Sequence, residues 1–150
     1  MLALKQELYQ QLQTLVDKQI AIATENINSA KISQENDTKS TAGDKHETGR
    51  AMLHLEQENN QKQLAKALQL KQELASTNIN QSKESISKGC LVYTENGKYF
   101  LSIGIGKLVV AEQTVFAISL ASPIGQLLLG KRVNDTFDFQ GKAIKITAVF

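Results

Sequence analysis

Apolar residues in the first part of the chain recur at steps of three or four. From Leu2 to about Asn36 there is no proline or glycine, and Gln, Leu, Ala, Lys and Ile predominate, which favours a helix. The recurring residues are Tyr9, Leu12, Val16, Ile20, Ala23, Ile27 and Ala30. A single seam of this kind is what one helix presents to another, so the pattern predicts a long helix with a partner helix.

A second segment without proline or glycine runs from Ala51 to about Thr77. Its apolar track consists of Leu53, Leu64, Ala67 and Leu74. Gln57, Asn60 and Lys71 share that track, so we expect the seam to be weakest in the half that follows the break. Residues 36–50 are polar and contain glycine, which predicts the tip of an antiparallel two-helix coiled-coil hairpin. A dimeric antiparallel coiled coil is the alternative interpretation.

The hydrophobic period changes at Gly89. Six short β-rich runs follow: Cys90–Thr94, Lys98–Ile103, Lys107–Ala111, Thr114–Leu120, Thr136–Gln140 and Lys142–Val149. Asn96-Gly97 suits a tight hairpin turn. Between the fourth and fifth runs, Ser122 suits a helix cap, Pro123 a first helical position and Gly130 a helix stop.

The fold class predicted from these patterns is α+β. Residues 1–77 form a helical finger with its tip at 36–50, and the polar stretch 78–88 is a linker. Residues 89–150 form a small antiparallel sheet with one short helix.

Bulk composition narrows the possible functions. The chain has 150 residues and a formal net charge of +2, from 17 Lys plus Arg against 15 Asp plus Glu. That balance argues against non-specific nucleic-acid binding, and a protein partner fits better. No apolar run approaches the length of a membrane span or a signal peptide, so we expect a cytoplasmic protein. The lone Cys90 excludes an intramolecular disulfide and is expected to serve packing.

Asp44 and Glu47 lie three residues apart in the polar break. This spacing is typical of a capping box at the start of a helix, which the pattern alone favours. Two exposed carboxylates can also lend oxygen ligands to Mg²⁺, which prefers a few carboxylates together with water and phosphate oxygens. They are too few to hold the ion alone, so the functional hypothesis is a site shared with another molecule. The two interpretations are compatible, because a capping Asp keeps spare lone pairs.

Basic residues accompany this pair. Lys45, His46 and Arg50 make the tip mixed in charge and not acidic. Arg50 can contact phosphate, although a helix-surface pair with Glu47 is the simpler explanation. Two histidines, His46 and His54, without a third ligand at metal spacing do not indicate a zinc site. A Cys90–His nucleophile is disfavoured, because nothing nearby in sequence would lower the pKa of the thiol.

One motif in the C-terminal part is more specific than the rest. It reads Ser122-Pro123-Ile124-Gly125, followed by Leu128-Leu129-Gly130-Lys131. Ile118-Ser119 precedes it, and an Asn134-Asp135 turn and a final Lys145-Ile146-Thr147-Ala148-Val149 follow it. With Gly43-Asp44-x-x-Glu47 at the tip of a helical hairpin, these residues resemble the Gre transcript-cleavage factors along nearly the whole chain.

The resemblance implies a finger inserted through the secondary channel of bacterial RNA polymerase, with an FKBP-like domain at the channel entrance. In that family the tip Asp and Glu help to bind a second Mg²⁺ and a water at the polymerase active site, so that backtracked RNA is cut. By position, Asp44 and Glu47 would take these roles. The docking residues would be Ser122, Pro123, Ile124, Gly125, Leu128, Gly130 and Lys131.

The same resemblance implies an accessory factor and not an enzyme. It would be a monomer without a cofactor of its own, sharing Mg²⁺ with RNA polymerase, contacting nascent RNA indirectly and binding no membrane. Two-metal catalysis agrees with this hypothesis, because a carboxylate pair added by the factor can complete a two-metal site that the polymerase forms poorly alone.

This chain departs from the family pattern at the tip. After Glu47 the family usually has Asn, an acidic residue and an aromatic residue, whereas this chain has Thr48-Gly49-Arg50. The segment from Thr38 to Gly43 is also unusual. A Gre-like relative that modulates or inhibits the polymerase without cleavage is therefore an alternative. A prolyl isomerase or chaperone is a further one, which the absence of tryptophan disfavours.

Overall fold

The computed structural model describes residues 1–38 and 43–150, and the side chains of residues 37, 38 and 43–46 lie outside that description. The described elements are α1 Leu2–Thr38, α2 Gly43–Ala75, β1 Leu91–Thr94, β2 Gly97–Leu101, β3 Gly106–Val110, β4 Gln113–Ile118, α3 Pro123–Leu128, β5 Thr136–Phe139 and β6 Lys142–Val149. The predicted α+β class is confirmed. By contacts, the chain divides into two compact units, Met1–Gln13 with Gln72–Phe150, and Thr14–Lys71.

The unit Thr14–Lys71 is an antiparallel pair of helices. The Asn60 Nδ2 donates to the Asn26 main-chain oxygen at 3.3 Å, and the Lys71 ammonium lies 3.1 Å from an Asp17 carboxylate oxygen. Residue numbers therefore rise on α2 as they fall on α1. The predicted α1 seam is confirmed: Val16, Ala23 and Ala30 are buried in this unit, and Ile20 and Ile27 are half-buried.

Helix α2 starts earlier than the sequence pattern predicts. The pattern placed its first residue at Ala51, within a tip spanning 36–50, whereas the helix begins at Gly43. The prediction was wrong because it treated glycine as a break. A glycine inside a helix costs only about 1 kcal/mol, and the Lys, Glu, Arg and Ala residues around Gly49 are good helix formers. Likewise α1 continues to Thr38.

The strands form one six-stranded sheet in the order β3-β4-β2-β1-β6-β5. Five neighbour pairs exist, and four are antiparallel, but β2 and β4 run parallel, with Tyr99 opposite Phe116. The sheet is therefore mixed, and the prediction of an antiparallel sheet was wrong. The chain leaves β2 and skips one position before β3, so β4 returns into the gap. Nothing in a strand's own pattern of apolar residues records that skip.

Alternate residues of each strand face opposite sides of this sheet. One side carries Val92, Leu101, Ile144 and Ile146, which cluster with Ile124 and Leu128 of α3. The other side carries Leu91, Phe100, Leu108, Val115 and Ala117, which are also buried. Both faces of the sheet therefore contribute to a core, and α3 covers one of them.

Two of the hairpin turns differ in detail from the prediction. Thr94 is paired with Gly97, so Glu95 and Asn96 make the turn that was assigned to Asn96-Gly97. The Thr94 hydroxyl oxygen stabilises it by accepting from the Gly97 amide at 3.1 Å. The turn between β3 and β4 is Ala111-Glu112, whereas the predicted runs left Glu112-Gln113 between them. Both turn residues have positive φ, 50° and 62°.

The first turns of α1 contact both the sheet and the last turns of α2 within their own unit. The Gln11 side-chain amide donates to the Val109 main-chain oxygen at 3.0 Å, and the Tyr9 hydroxyl donates to the Leu74 main-chain oxygen at 3.1 Å. None of the described helices combines the length and apolar content needed to cross a lipid bilayer.

Candidate functional site

Three polar side chains follow one another along one face of α2. Glu47, Arg50 and His54 are separated by intervals of three and four residues, which makes them neighbours on the helix surface. Together with Ala51, and with Gln34 from α1, they line a groove of about 470 Å³ in the helical unit. The three side chains are exposed. This groove, which we call the tip groove, thus offers a carboxylate, a guanidinium and an imidazole to a partner.

The predicted residues Asp44, Lys45 and His46 are only partly described. Their backbone belongs to α2, but their side chains lie outside the described part of the chain. Since α2 begins at Gly43, Asp44 occupies a position inside the helix, whereas a capping residue flanks it. Positions 44 and 47 share a helix face, so the backbone is compatible with two carboxylates acting together.

A Mg²⁺ ion shared with another molecule was predicted to bind in this region. Among the described residues there is no group of three or more His, Cys, Asp or Glu side chains that could hold a metal ion. Of the side chains that the structure describes, Glu47 is the one carboxylate lining the tip groove, and Arg50 beside it opposes an isolated cation. These residues therefore do not fit an independent Mg²⁺ site, but an exposed carboxylate does fit the role of one ligand added to another molecule's metal.

The motif from Ser122 to Lys131 forms α3 and the turn that ends it. The Ser122 hydroxyl accepts from the Gly125 amide at 3.1 Å and donates to the Ser119 main-chain oxygen at 2.7 Å. Pro123 occupies the first turn, where its missing amide hydrogen is not needed. The predicted cap and the predicted proline position are confirmed.

Gly125 is required by close packing. A Cβ built on it would lie 2.2 Å from the Ser119 main-chain oxygen and 2.8 Å from the Ser122 hydroxyl. Real Cβ atoms do not approach a backbone oxygen that closely, so α3 can rest on the 119–122 segment only with glycine at this position. Gly130 has φ +80°, which matches the predicted left-handed stop.

Only part of this motif is available to a partner. Ile124, Gly125 and Leu128 are buried and hold α3 on the sheet. Lys131 anchors the turn through its main chain, since its carbonyl accepts from the Ile86 amide at 2.8 Å. Pro123 and Gly130 are exposed, as are two intervening residues that were not predicted as contacts, Gln126 and Leu129.

A second cavity, of about 240 Å³, lies among residues with no predicted function. Its lining includes Lys5, Ile79, Val149 and Phe150. Lys5 is only 3% exposed, and this burial lowers the pKa of its ammonium, with a smaller opposing effect from Cys90.

Cys90 is itself buried, and its sulfur accepts from the Ser87 amide at 3.4 Å. Its expected packing role is confirmed.

Two polar residues of the tip groove were not predicted as site residues. His54 was considered only as a metal ligand, although a count of three and then four residues from Glu47 would have placed it on the same face as Arg50. Gln34 comes from the other helix, and only the register of the pair brings it to the groove. That register is not readable from either helix alone.

Comparison of the chain with known proteins found no relative. No protein-family model, no curated protein and no solved structure matches the chain.

Proposed function

We propose that this protein is a Gre-type accessory factor of bacterial RNA polymerase, which places tip carboxylates at the polymerase active site and stimulates cleavage of backtracked RNA. The observation that carries the proposal is the exposure of Glu47 on a helix of an antiparallel pair. At about 1.5 Å per residue, the helical segment from Thr14 to Thr38 is roughly 40 Å long, which suits a narrow channel. The sheet unit would be FKBP-like, and the factor would act as a cytoplasmic monomer.

The proposed chemistry requires only that this chain place its carboxylates beside the polymerase metal site. Glu47 would add carboxylate oxygens to a Mg²⁺ ion that the polymerase already holds in part, and Asp44 would act beside it. A metal ion bound there would activate the attacking water and stabilise the leaving oxygen. The chain would therefore need no cofactor and no catalytic activity of its own.

The cations of the tip groove fit the same setting. Arg50 and His54 are exposed and lie four residues apart, so their donors can reach neighbouring anionic oxygens. Arg50 can offer two parallel hydrogen bonds to a phosphate. We assign these residues, with Lys45 and His46, to indirect contacts with nascent RNA that leave Glu47 free for the metal.

Docking would use the exposed residues around α3. Leu129 is 50% exposed and Val133 is 43% exposed, and Pro123 and Gln126 lie on the same short segment. The buried members of the motif, Ile124, Gly125 and Leu128, would act indirectly by holding α3 in place.

The test is a cleavage assay with purified polymerase halted in a backtracked complex. The parent protein is expected to accelerate RNA cleavage. The variant Asp44→Ala/Glu47→Ala is expected to bind with unchanged affinity and to lose that stimulation. Binding without stimulation by the parent would favour the inhibitory relative, and no binding at all would reject the proposal.

A dimeric coiled-coil adaptor is a second candidate, because the helical unit exposes several large apolar side chains. Ile32, Met52 and Leu55 are 59%, 66% and 66% exposed. If these residues form a dimer interface, light scattering will show a mass that rises with concentration, and Met52→Gln/Leu55→Gln will restore the monomer. A concentration-independent monomer mass for the parent excludes this candidate.

A further inference from the structure

The cavity of about 240 Å³ at the start of α1 lies entirely within the unit formed by Met1–Gln13 and Gln72–Phe150. Its lining includes residues exposed to solvent, among them Leu2, Asn80 and Gln81. It also includes Lys5, which is buried. A small molecule can therefore enter past the exposed residues and approach a buried amine.

The Lys5 ammonium has no negatively charged partner among the described side chains. It donates to the Phe150 main-chain oxygen at 3.2 Å, and Phe150 also lines the cavity, so the ammonium lies at the cavity wall. No described carboxylate forms an ion pair with Lys5, and none lines the cavity. Lysine is almost never buried to this extent unless it is paired. The cavity therefore contains a positive charge that nothing described in the chain neutralises.

This ammonium can bind a further acceptor. It carries three N–H donors, and the hydrogen bond to Phe150 uses one of them. Burial lowers the pKa of Lys5, and the opposing effect, from Cys90, is smaller. A carboxylate in the cavity would accept from the remaining donors and supply the missing negative charge. It would also favour the charged form of Lys5 and so raise its pKa again.

The rest of the lining is mostly apolar and sets the size of a ligand. The apolar residues are Met1, Leu2, Ile79, Val149 and Phe150. An apolar cavity of about 150 Å³ holds one benzene molecule, so this cavity has room for roughly eight non-hydrogen atoms. It is smaller than the pockets of about 300 Å³ or more that hold drug-sized ligands. The ligand should therefore be short, with an apolar part.

We propose that this cavity binds a small monocarboxylate with a short apolar chain. The carboxylate accepts hydrogen bonds from the Lys5 ammonium, and the chain packs against the apolar lining. A neutral molecule of the same shape fills the cavity but leaves the charge of Lys5 uncompensated. The site is independent of the proposed function, because none of its residues belongs to the tip groove or to α3.

Three probes separate the contributions of charge and chain. Hexanoate has both, hexanamide has a chain of the same length without the charge, and acetate has the charge without the chain. Each probe is titrated into the isotope-labelled full chain at neutral pH, and the backbone amide shifts are followed by nuclear magnetic resonance. We expect hexanoate to shift the amides of Lys5, Asn80 and Val149 saturably, with a Kd of about 1 mM or lower. Hexanamide and acetate should each bind at least about tenfold more weakly.

Two variants and a matched control test the site itself. Lys5→Met keeps an unbranched apolar side chain and removes the charge, so hexanoate should bind at least about tenfold more weakly and hexanamide no more weakly than before. Lys18→Met changes an exposed lysine of the same helix and should leave both affinities unchanged. Ile79→Trp keeps Lys5 and fills the cavity from a half-buried position, so it should abolish hexanoate binding. If Lys5→Met does not fold, Ile79→Trp and the three probes decide the question.

Four results would overturn the proposal. Hexanoate could cause no saturable shifts in the parent, or it could bind no more tightly than hexanamide, which would leave Lys5 without a role. Hexanoate could also bind Lys5→Met as tightly as the parent, or bind Ile79→Trp as tightly, which would place the ligand elsewhere.

Discussion

The Lys5 ammonium donates a hydrogen bond of 3.2 Å to the main-chain oxygen of Phe150, so the start of α1 is tied to the strand region at residue 150. The side chain is buried, and desolvation lowers the pKa of Lys5 below its ordinary 10.5. The folded protein therefore releases this proton at a lower pH than the unfolded chain does.

This shift predicts how stability depends on pH. Between the lowered pKa of Lys5 and 10.5, the unfolded state binds more protons, so Lys5 contributes stability that rises with pH in that window. Burial raises the pKa values of Tyr93 and Tyr99 above 10.0, which has the opposite effect at the alkaline end. In Lys5→Met only the rising contribution is lost. Urea denaturation of both proteins at intervals from pH 7 to 10.5 gives their free energies of unfolding. The free energy of the parent should rise relative to that of Lys5→Met as the pH increases. A difference that does not change with pH would contradict the assigned burial of Lys5.

Gly125→Ala is expected to destabilise the protein by at least about 2 kcal/mol. The added Cβ would lie 2.2 Å from the Ser119 main-chain oxygen, and α3 must move off the 119–122 segment to relieve the overlap. Gly49→Ala is the matched control, because nothing lies within 4 Å of a Cβ at that position. In a helix it should gain about 0.5–1 kcal/mol. Chemical denaturation measures both, and equal effects at the two glycines would refute the packing argument.

The Ala111-Glu112 turn offers a stabilising change. Both residues have positive φ, which Asn-Gly adopts more readily than Ala-Glu does in a two-residue hairpin. Ala111→Asn/Glu112→Gly is expected to raise the melting temperature, with a gain on the order of 1 kcal/mol. As a control, the same pair of changes at Glu95 and Asn96 should give less, because neither has positive φ. A lower melting temperature for the 111–112 variant would show that this turn is not strained.

Ser122→Ala should cost about 1 kcal/mol, since the hydroxyl both caps α3 and donates to Ser119. Ser122→Asp, which keeps an acceptor for the Gly125 amide but not the donor, should recover only part of the loss. Thermal denaturation of the three proteins gives the order of their stabilities. If Ser122→Asp is as stable as the parent, the hydrogen bond to Ser119 contributes nothing to stability.

The sequence was sufficient to predict the features that the residues of a single helix, strand or turn determine. The α1 seam, the Ser122 cap, the Gly130 stop and most strands follow from spacing and from residue type. The parallel pairing of β2 with β4 was not readable, because it depends on where the chain goes after Leu101 and not on the strands' own residues. The start of α2 was misplaced because glycine was given more weight than the helix formers around it.

The tip groove illustrates the same limit. Glu47 and Arg50 were predicted from a short motif, whereas Gln34 enters the groove through the register of the two helices. A buried Asn or Gln on an otherwise apolar track was visible in the sequence, but its partner carbonyl was not.

The proposed function requires Glu47 to lend a carboxylate to a metal held by RNA polymerase. The most direct measurement is the rate of RNA cleavage in a backtracked complex saturated with the parent or with Glu47→Gln, which keeps the side-chain shape and removes the charge. The account predicts a rate at least about tenfold lower for Glu47→Gln, with an unchanged dissociation constant for the polymerase. Equal cleavage rates for the two proteins would contradict it.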